Sequence, residues 1–209
     1  MRFGGFQALT LSDYPGKTAA VVFTQGCNFR CPFCHNGGLL PAVADDRNLV
    51  PEAFVLEELR RRRGLLDGLV VTGGEPTLQE ALPAFLGKVR ALGLLVKLDT
   101  NGSRPEMLAR LLGTGLVDYV AMDVKAPRGK YDLLAGVRAP LDAVRESIRL
   151  IAASGVPHHF RTTLPSALLD AQDIETIRRE LPAASPHLVQ EFKPEHALDP
   201  AVCGAALTA

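Results

Sequence analysis

Short apolar runs recur along the chain, each followed by a cluster of Gly, Asp, Thr, Asn or Pro and then by a longer stretch with helical spacing of apolar residues. The runs are Ala19 to Phe23, Leu69-Val70-Val71, Leu94 to Leu98, Asp118 to Met122, His159 to Leu164 and Leu188 to Phe192. Bounded by turn residues, runs this short read as buried strands. Between them the periodicity predicts helices from Pro51 to about Arg63, Ala81 to Leu92, Met107 to Leu112, Leu141 to Ser154 and Ala171 to Leu181, with Pro51 at a start and Gly93 and Gly113 at ends. Leu9 to Lys17 reads as a short extended piece and a Pro-Gly turn, Val43 to Asn48 as a polar connection, and the stretch holding Tyr131 and Gly136 as a loop. The tail from Glu195 to Ala209 is expected to be peripheral.

Strands alternating with helices imply a parallel sheet with right-handed crossovers. Six such units are too few for a closed eight-stranded barrel, so the expected class is α/β with an open or partial barrel. No repeat, linker or low-complexity segment divides residues 1–209, which are read as one domain.

Composition changes this picture little but excludes several functions. Lys+Arg and Asp+Glu balance at 23 each, which leaves no electrostatic case for nucleic acid or an anionic membrane surface. No apolar run is long enough to span a bilayer, and Met1 to Phe6 lacks the apolar core and cleavage site of a signal peptide, so a cytoplasmic protein is expected. Thiols stay reduced there, which favours metal ligation over disulfides. The run Arg60 to Arg63 reads as a solvated helix end rather than a phosphate patch.

Three of the four cysteines, Cys27, Cys31 and Cys34, fall on the loop after the first strand in the spacing Cys-x3-Cys-x2-Cys. Structural zinc sites usually close with two separated ligand pairs, and this loop has no second pair elsewhere. Three thiolates instead suit three irons of a [4Fe–4S] cube whose fourth iron lacks a protein ligand. A Cys3His zinc site completed by His35, or buried thiols without metal, are the other readings; His35 itself reads as an ordered loop residue. Cys203 reads as a spare thiol.

With Phe33 before the last cysteine, the loop resembles the radical S-adenosylmethionine (SAM) superfamily. The longer string Phe23 to Gly26, Cys27-Asn28-Phe29-Arg30-Cys31, Phe33, Cys34 and Asn36 is similar to the activating enzymes of glycyl-radical enzymes. From Asp13-Tyr14-Pro15-Gly16-Lys17 to Gln190-Glu191-Phe192-Lys193-Pro194 the chain most resembles those that serve anaerobic ribonucleoside-triphosphate reductase. The resemblance implies a (β/α)6 fold, a [4Fe–4S] cluster, SAM as cofactor, a large glycyl-radical enzyme as partner and an electron donor such as flavodoxin or ferredoxin. It also implies the chemistry: one-electron cleavage of SAM to a 5′-deoxyadenosyl radical that takes hydrogen from a glycine Cα, confined to anaerobic conditions. With no further cysteine motif, a second cysteine-held cluster is not expected.

In parallel α/β folds ligands bind beyond the carboxyl ends of the strands, and every polar cluster lies at such an end. Gly73-Gly74-Glu75 permits close backbone approach and offers a carboxylate for an ammonium, although alone it is commonly a turn. The resemblance implies that Phe33, Gly73, Gly74, Glu75, Asp99, Thr100, Asp123 and Lys125 form the cofactor shell. Lys125 either holds the SAM carboxylate or sulfonium region or pairs with Asp123. For Arg161 a structural ion pair is the default over a cofactor contact, because an isolated charge within a strand is costly. His158 and His159 read as strand-edge residues without metal, and Gln190 and Phe192 as possible borders of an adenine site.

Overall fold

A computed structural model describes residues 1–41, 49–195 and 197–202. Val43 to Asn48 and Cys203 lie wholly outside the described residues, as does most of the tail beyond Glu195.

Along the described chain run β1 (Phe3–Thr10), β2 (Ala19–Thr24), α1 (Glu52–Arg61), β3 (Gly68–Gly73), α2 (Leu82–Ala91), β4 (Leu95–Thr100) and α3 (Pro105–Gly113). Then follow β5 (Tyr119–Asp123), α4 (Tyr131–Ala135), α5 (Leu141–Ala153), β6 (His158–Leu164), α6 (Ala171–Glu180) and β7 (His187–Glu191). The strands form one sheet in chain order, β1 to β7. That order belongs to a (β/α) barrel rather than a doubly wound sheet, and β1 and β7 are left as edges. β2 through β7 pair in parallel, as the alternating pattern predicts.

β1 pairs antiparallel with β2, and it is longer than the extended piece read from the sequence. Its Phe3-Gly4-Gly5-Phe6 start lacks a strand-like alternation, so only the ladder to β2 reveals it. A Cβ at Gly4 would sit 2.3 Å from Leu39 Cδ2 and 2.5 Å from Gln25 Oε1, so the Leu39 and Gln25 side chains would have to shift to admit one. The other departure is α4, a short helix where a loop was read. Five residues are too few to carry a periodic signal, and Gly136 in the left-handed region ends it.

Side chains alternate across each strand. Leu69, Val71, Val96, Leu98, Val120, Met122 and Phe160 face the helices and pack with Leu82, Phe85, Leu108, Leu111, Val144 and Ile177 in the main core. Fully burying side chains of this size contributes about 1.5–3 kcal/mol each, so this layer dominates the favourable side of folding. The opposite face starts apolar at its amino end, with Tyr14, Val21 and Val70 against Phe23, Leu95 and Tyr119. Further along, the same face carries Lys97, Asp99, Asp123, His159 and Arg161. Their register aligns them, since Asp99 pairs with Ala121 and Asp123 with Arg161.

His158 and His159 open β6. His159 is buried, its Nδ1 is 3.0 Å from the Tyr119 hydroxyl, and burial together with Lys97 and Arg161 holds its pKa down to about 4. His158 bonds the Val156 carbonyl and Ser185 Oγ. Arg60, Arg61 and Arg62 pair with Glu57 and Glu58 on α1, in keeping with a solvated helix end.

Candidate cofactor site

Beyond β2 the backbone turns at Gly26, whose φ is +97°, into the cysteine loop. Other segments clamp this loop through its main chain. Gly26 N–H donates to Leu39 O at 2.7 Å, Arg30 N–H to Ala135 O at 2.8 Å, and Leu198 N–H to Cys34 O at 2.9 Å. The end of α4 lies directly on the loop, because a Cβ on Gly136 would come within 2.0 Å of Arg30 O. Phe29 and Phe33 are buried beneath it. A loop fixed at this many points presents its thiols in a set arrangement.

Cys27, Cys31 and Cys34 are free thiols, Cys31 buried and the other two half-buried. Burial pushes the Cys27 thiol up to about 11 and the Cys31 thiol upward as well, so both are neutral at ordinary pH without a metal. Coordination would deprotonate them. His35 is occupied elsewhere, its Nε2 2.6 Å from the Lys193 carbonyl and its ring stacked on Phe192 with centroids 5.7 Å apart. Three soft donors on one clamped loop, with the neighbouring imidazole turned to another partner, fit a [4Fe–4S] cluster with an open iron better than a Cys3His zinc site.

A cavity of about 320 Å³ opens over the carboxyl ends of the strands, lined by Cys27, Cys31, Phe33, Cys34, Gly73, Gly74, Glu75, Asp99, Thr100, Asp123 and Lys125; Phe192, read as a border of an adenine site, does not line it and stacks on His35. Arg161 and Gln190 also border the cavity. Gly73 and Gly74 are set by close packing, since a Cβ would lie 2.3 Å from Thr24 N at the first and 2.1 Å from Gly26 O at the second.

Glu75 is 1% exposed, and its carboxylate ties the turn after β3 to the end of β4. It accepts from Thr77 N–H at 3.0 Å, from the Thr77 hydroxyl, from Thr100 Oγ1 at 2.7 Å and from Asn101 N–H at 2.6 Å. Burial nevertheless outweighs those donors and pushes its pKa up.

On β4 to β6 the polar groups pair by charge. Lys97 meets Asp99, Lys125 lies 2.8 Å from Asp123, and Arg161 Nε lies 2.7 Å from Asp123 with Nη1 3.7 Å from Asp99. Burial opposes ionisation of Asp123, but Arg161 and Lys125 prevail and hold its carboxyl well below the usual range. The Lys125 ammonium also lies 5.5 Å from the Phe33 ring centroid. Arg161 has the structural ion pair expected of it.

Several lining residues were not singled out beforehand. Thr72, on the inner face of β3, donates to Asp99 at 3.4 Å; Gln7 and Asp13 reach the cavity from β1 and the turn after it. Nothing local in the sequence marks Thr72 or Gln7, whereas Asp13 opens the quoted Asp-Tyr-Pro-Gly-Lys turn and Asn28 and Asn36 lie inside the quoted cysteine-loop string. Asn101 also lines the cavity, next to Thr100. Asn36 Nδ2 reaches Gly73 O at 3.4 Å.

The sequence profile described as "Radical SAM superfamily" matches residues 21–179. The chain belongs to the radical SAM superfamily. Its sheet is accordingly the partial (β/α) barrel of radical SAM proteins, and the cysteine loop, the Gly-Gly-Glu turn and the three following strand ends fall within the matched span. A Methanocaldococcus jannaschii protein named "Putative glycyl-radical enzyme activating enzyme" is 34% identical over 202 residues, covering 93% of this chain and 81% of that protein. The PqqA peptide cyclase of Xanthomonas axonopodis pv. citri is 31% identical over 147 residues, 68% of this chain but 38% of its own. Streptococcus suis SuiB bound to S-adenosylmethionine superposes with a TM-score of 0.60 at 16% identity, over 81% of this chain and 37% of that one. This chain therefore spans less than half the length of those last two proteins, and the likeness to SuiB is one of fold.

Proposed function

We propose that this radical SAM protein is an activating enzyme that installs a glycyl radical in a large partner enzyme. The observation that carries the reading is the sharing of one cavity by three clamped thiols and the polar ends of β3, β4 and β5. Similarity to the Methanocaldococcus jannaschii protein along nearly the whole chain supports the activase class. The run from the Asp-Tyr-Pro-Gly-Lys turn to the Gln-Glu-Phe-Lys-Pro end supports anaerobic ribonucleotide reductase as the partner, with flavodoxin or ferredoxin as electron donor. Residues 1–209 act in this reading as one cytoplasmic radical SAM domain; among the described residues no helix is long and apolar enough to cross a membrane.

Cys27, Cys31 and Cys34 would hold a [4Fe–4S] cluster, which together with SAM supplies one-electron cleavage to a 5′-deoxyadenosyl radical. The protein's share is binding and orientation. Backbone at Gly73 and Gly74 would receive the methionine end of SAM, while Glu75 acts mainly by fixing that backbone, because its oxygens already accept four hydrogen bonds. Asp99, Thr100 and Asp123 would border the cofactor; Lys97 and Arg161 pair with Asp99, and Lys125 and Arg161 with Asp123, which fixes both aspartates in place. Phe33 shields the loop from water.

Anaerobic iron loading, dithionite and SAM should give 5′-deoxyadenosine with the wild type and none with Cys31→Ala. Adding the partner should then produce a glycyl radical visible by electron paramagnetic resonance. Zinc in place of iron, or a full cluster without SAM cleavage, would leave a metal-binding module. A second reading, action on a peptide or small molecule, is favoured by the similarity to PqqA peptide cyclase. Deoxyadenosine formation that depends on such a substrate and not on a partner protein would select it.

A further inference from the structure

Asn101 follows β4 and is 6% exposed. Its backbone N–H donates to Glu75 Oε2 at 2.6 Å and its Oδ1 accepts from Ser103 N–H at 2.9 Å, which together fix the plane of the side-chain amide. The remaining group, Nδ2, is directed at the cysteine loop. It donates to Asn28 Oδ1 at 3.0 Å and lies 3.9 Å from Cys27 Sγ. Asn28 in turn donates from Nδ2 to Ser103 Oγ at 2.9 Å, closing a ring of three residues whose last link is the Ser103 backbone N–H. The same sulfur accepts from the Phe29 backbone N–H at 3.4 Å.

We propose that Asn101 is a positioning residue for the cluster ligand Cys27 and raises the reduction potential of the cluster through its Nδ2–H···Sγ contact. The inference rests on the cluster reading above. A donor aimed at a ligating sulfur draws electron density from it, and the extra electron of the reduced state is then better tolerated. The 3.9 Å separation is long for such a bond, so the effect is small and graded rather than all-or-none. What makes the contact more than incidental is its support: both polar atoms of the Asn101 side-chain amide have partners, in the turn after β4 and in the cysteine loop, while its backbone N–H is held by Glu75 in the turn after β3. The residue therefore couples the backbone platform at Glu75 to the sulfur at Cys27.

The test is a redox titration of the iron-loaded protein, followed by electron paramagnetic resonance, for the wild type, Asn101→Asp, Asn101→Ala and Ser103→Ala. With Asn101→Ala the ratio of reduced to oxidised cluster at the wild-type midpoint should fall about threefold, which at 59 mV per decade for one electron is about 28 mV. Asn101→Asp keeps the shape and the acceptor for Ser103 N–H but replaces the donor by an anionic oxygen, so its potential should fall further. Ser103→Ala leaves Nδ2 in place and should match the wild type. A residue that merely held the loop would change iron content or thermal stability without moving the potential. Iron-replete Asn101 variants with wild-type potential would overturn the inference while leaving the proposed function standing; a wild type that takes up zinc instead of iron would remove both. Should neither variant retain iron, 15N in the asparagine side-chain amides of the wild type must replace a 14N coupling in the hyperfine spectrum of the reduced cluster by a 15N one, and a spectrum unchanged by the label would overturn the inference.

Discussion

At the carboxyl end of β3 stands Glu75, and two strands over, at the end of β5, stands Asp123. Both border one cavity, Glu75 fully buried and Asp123 half-buried, yet their surroundings act in opposite directions. Glu75 is met by hydroxyl and amide donors only, and burial raises its pKa. Asp123 is met by Arg161 and Lys125, and its pKa is lowered. The contrast separates two uses of a carboxylate: one knits backbone segments into a platform, the other is a fixed anion within a charge network. Hydrogen bonds from neutral donors set position, whereas ion pairing also sets protonation state.

The sharpest way to break the contrast is Glu75→Ala. It leaves the Thr77 and Asn101 amides and two hydroxyls without an acceptor inside the protein, and several buried donors losing their partner together should cost about 4 kcal/mol. Urea unfolding would measure it, and a loss under about 1 kcal/mol would mean that Glu75 does not organise these turns. Arg161→Ala comes next, at about 2 kcal/mol, because Asp123 and Asp99 lose a shared cation; partial exposure of the pair keeps the figure below that of a fully buried one. Lys125→Met should be mildest, about 1 kcal/mol, since Arg161 still neutralises Asp123 and the new side chain can pack on Phe33.

The two carboxylates should also leave opposite marks on stability against pH. Folded Glu75 holds its proton more tightly than the unfolded chain does, so its contribution falls as pH rises above its ordinary 4.5. Asp123 has a lowered folded pKa, so its contribution is present above the ordinary 3.8 and is lost as pH falls below it. Urea midpoints measured across pH should therefore show a shallower decline above pH 4.5 in Glu75→Gln than in the wild type. In Arg161→Ala the acid-unfolding midpoint should move to higher pH. Parallel curves for both variants and the wild type would erase the distinction drawn between the two sites.

Even this difference was partly visible beforehand. Asp123-Val124-Lys125 places a cation two residues from the aspartate on the same side of an extended chain, so pairing was one of two readings open for Lys125. Gly73-Gly74-Glu75 carries no such hint. The sequence marks the glutamate as chemically available, but its acceptors are filled by Thr100 and Asn101 from the next strand end, and nothing in the order of residues announces those bonds.

The sequence by itself determined the six parallel strands, the helices between them, the cysteine motif and the end of the sheet at which polar residues gather. These follow from local causes: apolar period, turn residues and the alternation of strand and helix that orients every parallel strand the same way. What tertiary structure alone supplied is that β1 joins as an antiparallel edge, that Asp13 and Gln7 reach the cavity, that His35 stacks on Phe192, and that Asn101 points at Cys27. Each of those depends on a partner distant in the chain, and no local propensity encodes which distant group will arrive to fill a hydrogen-bonding or packing vacancy.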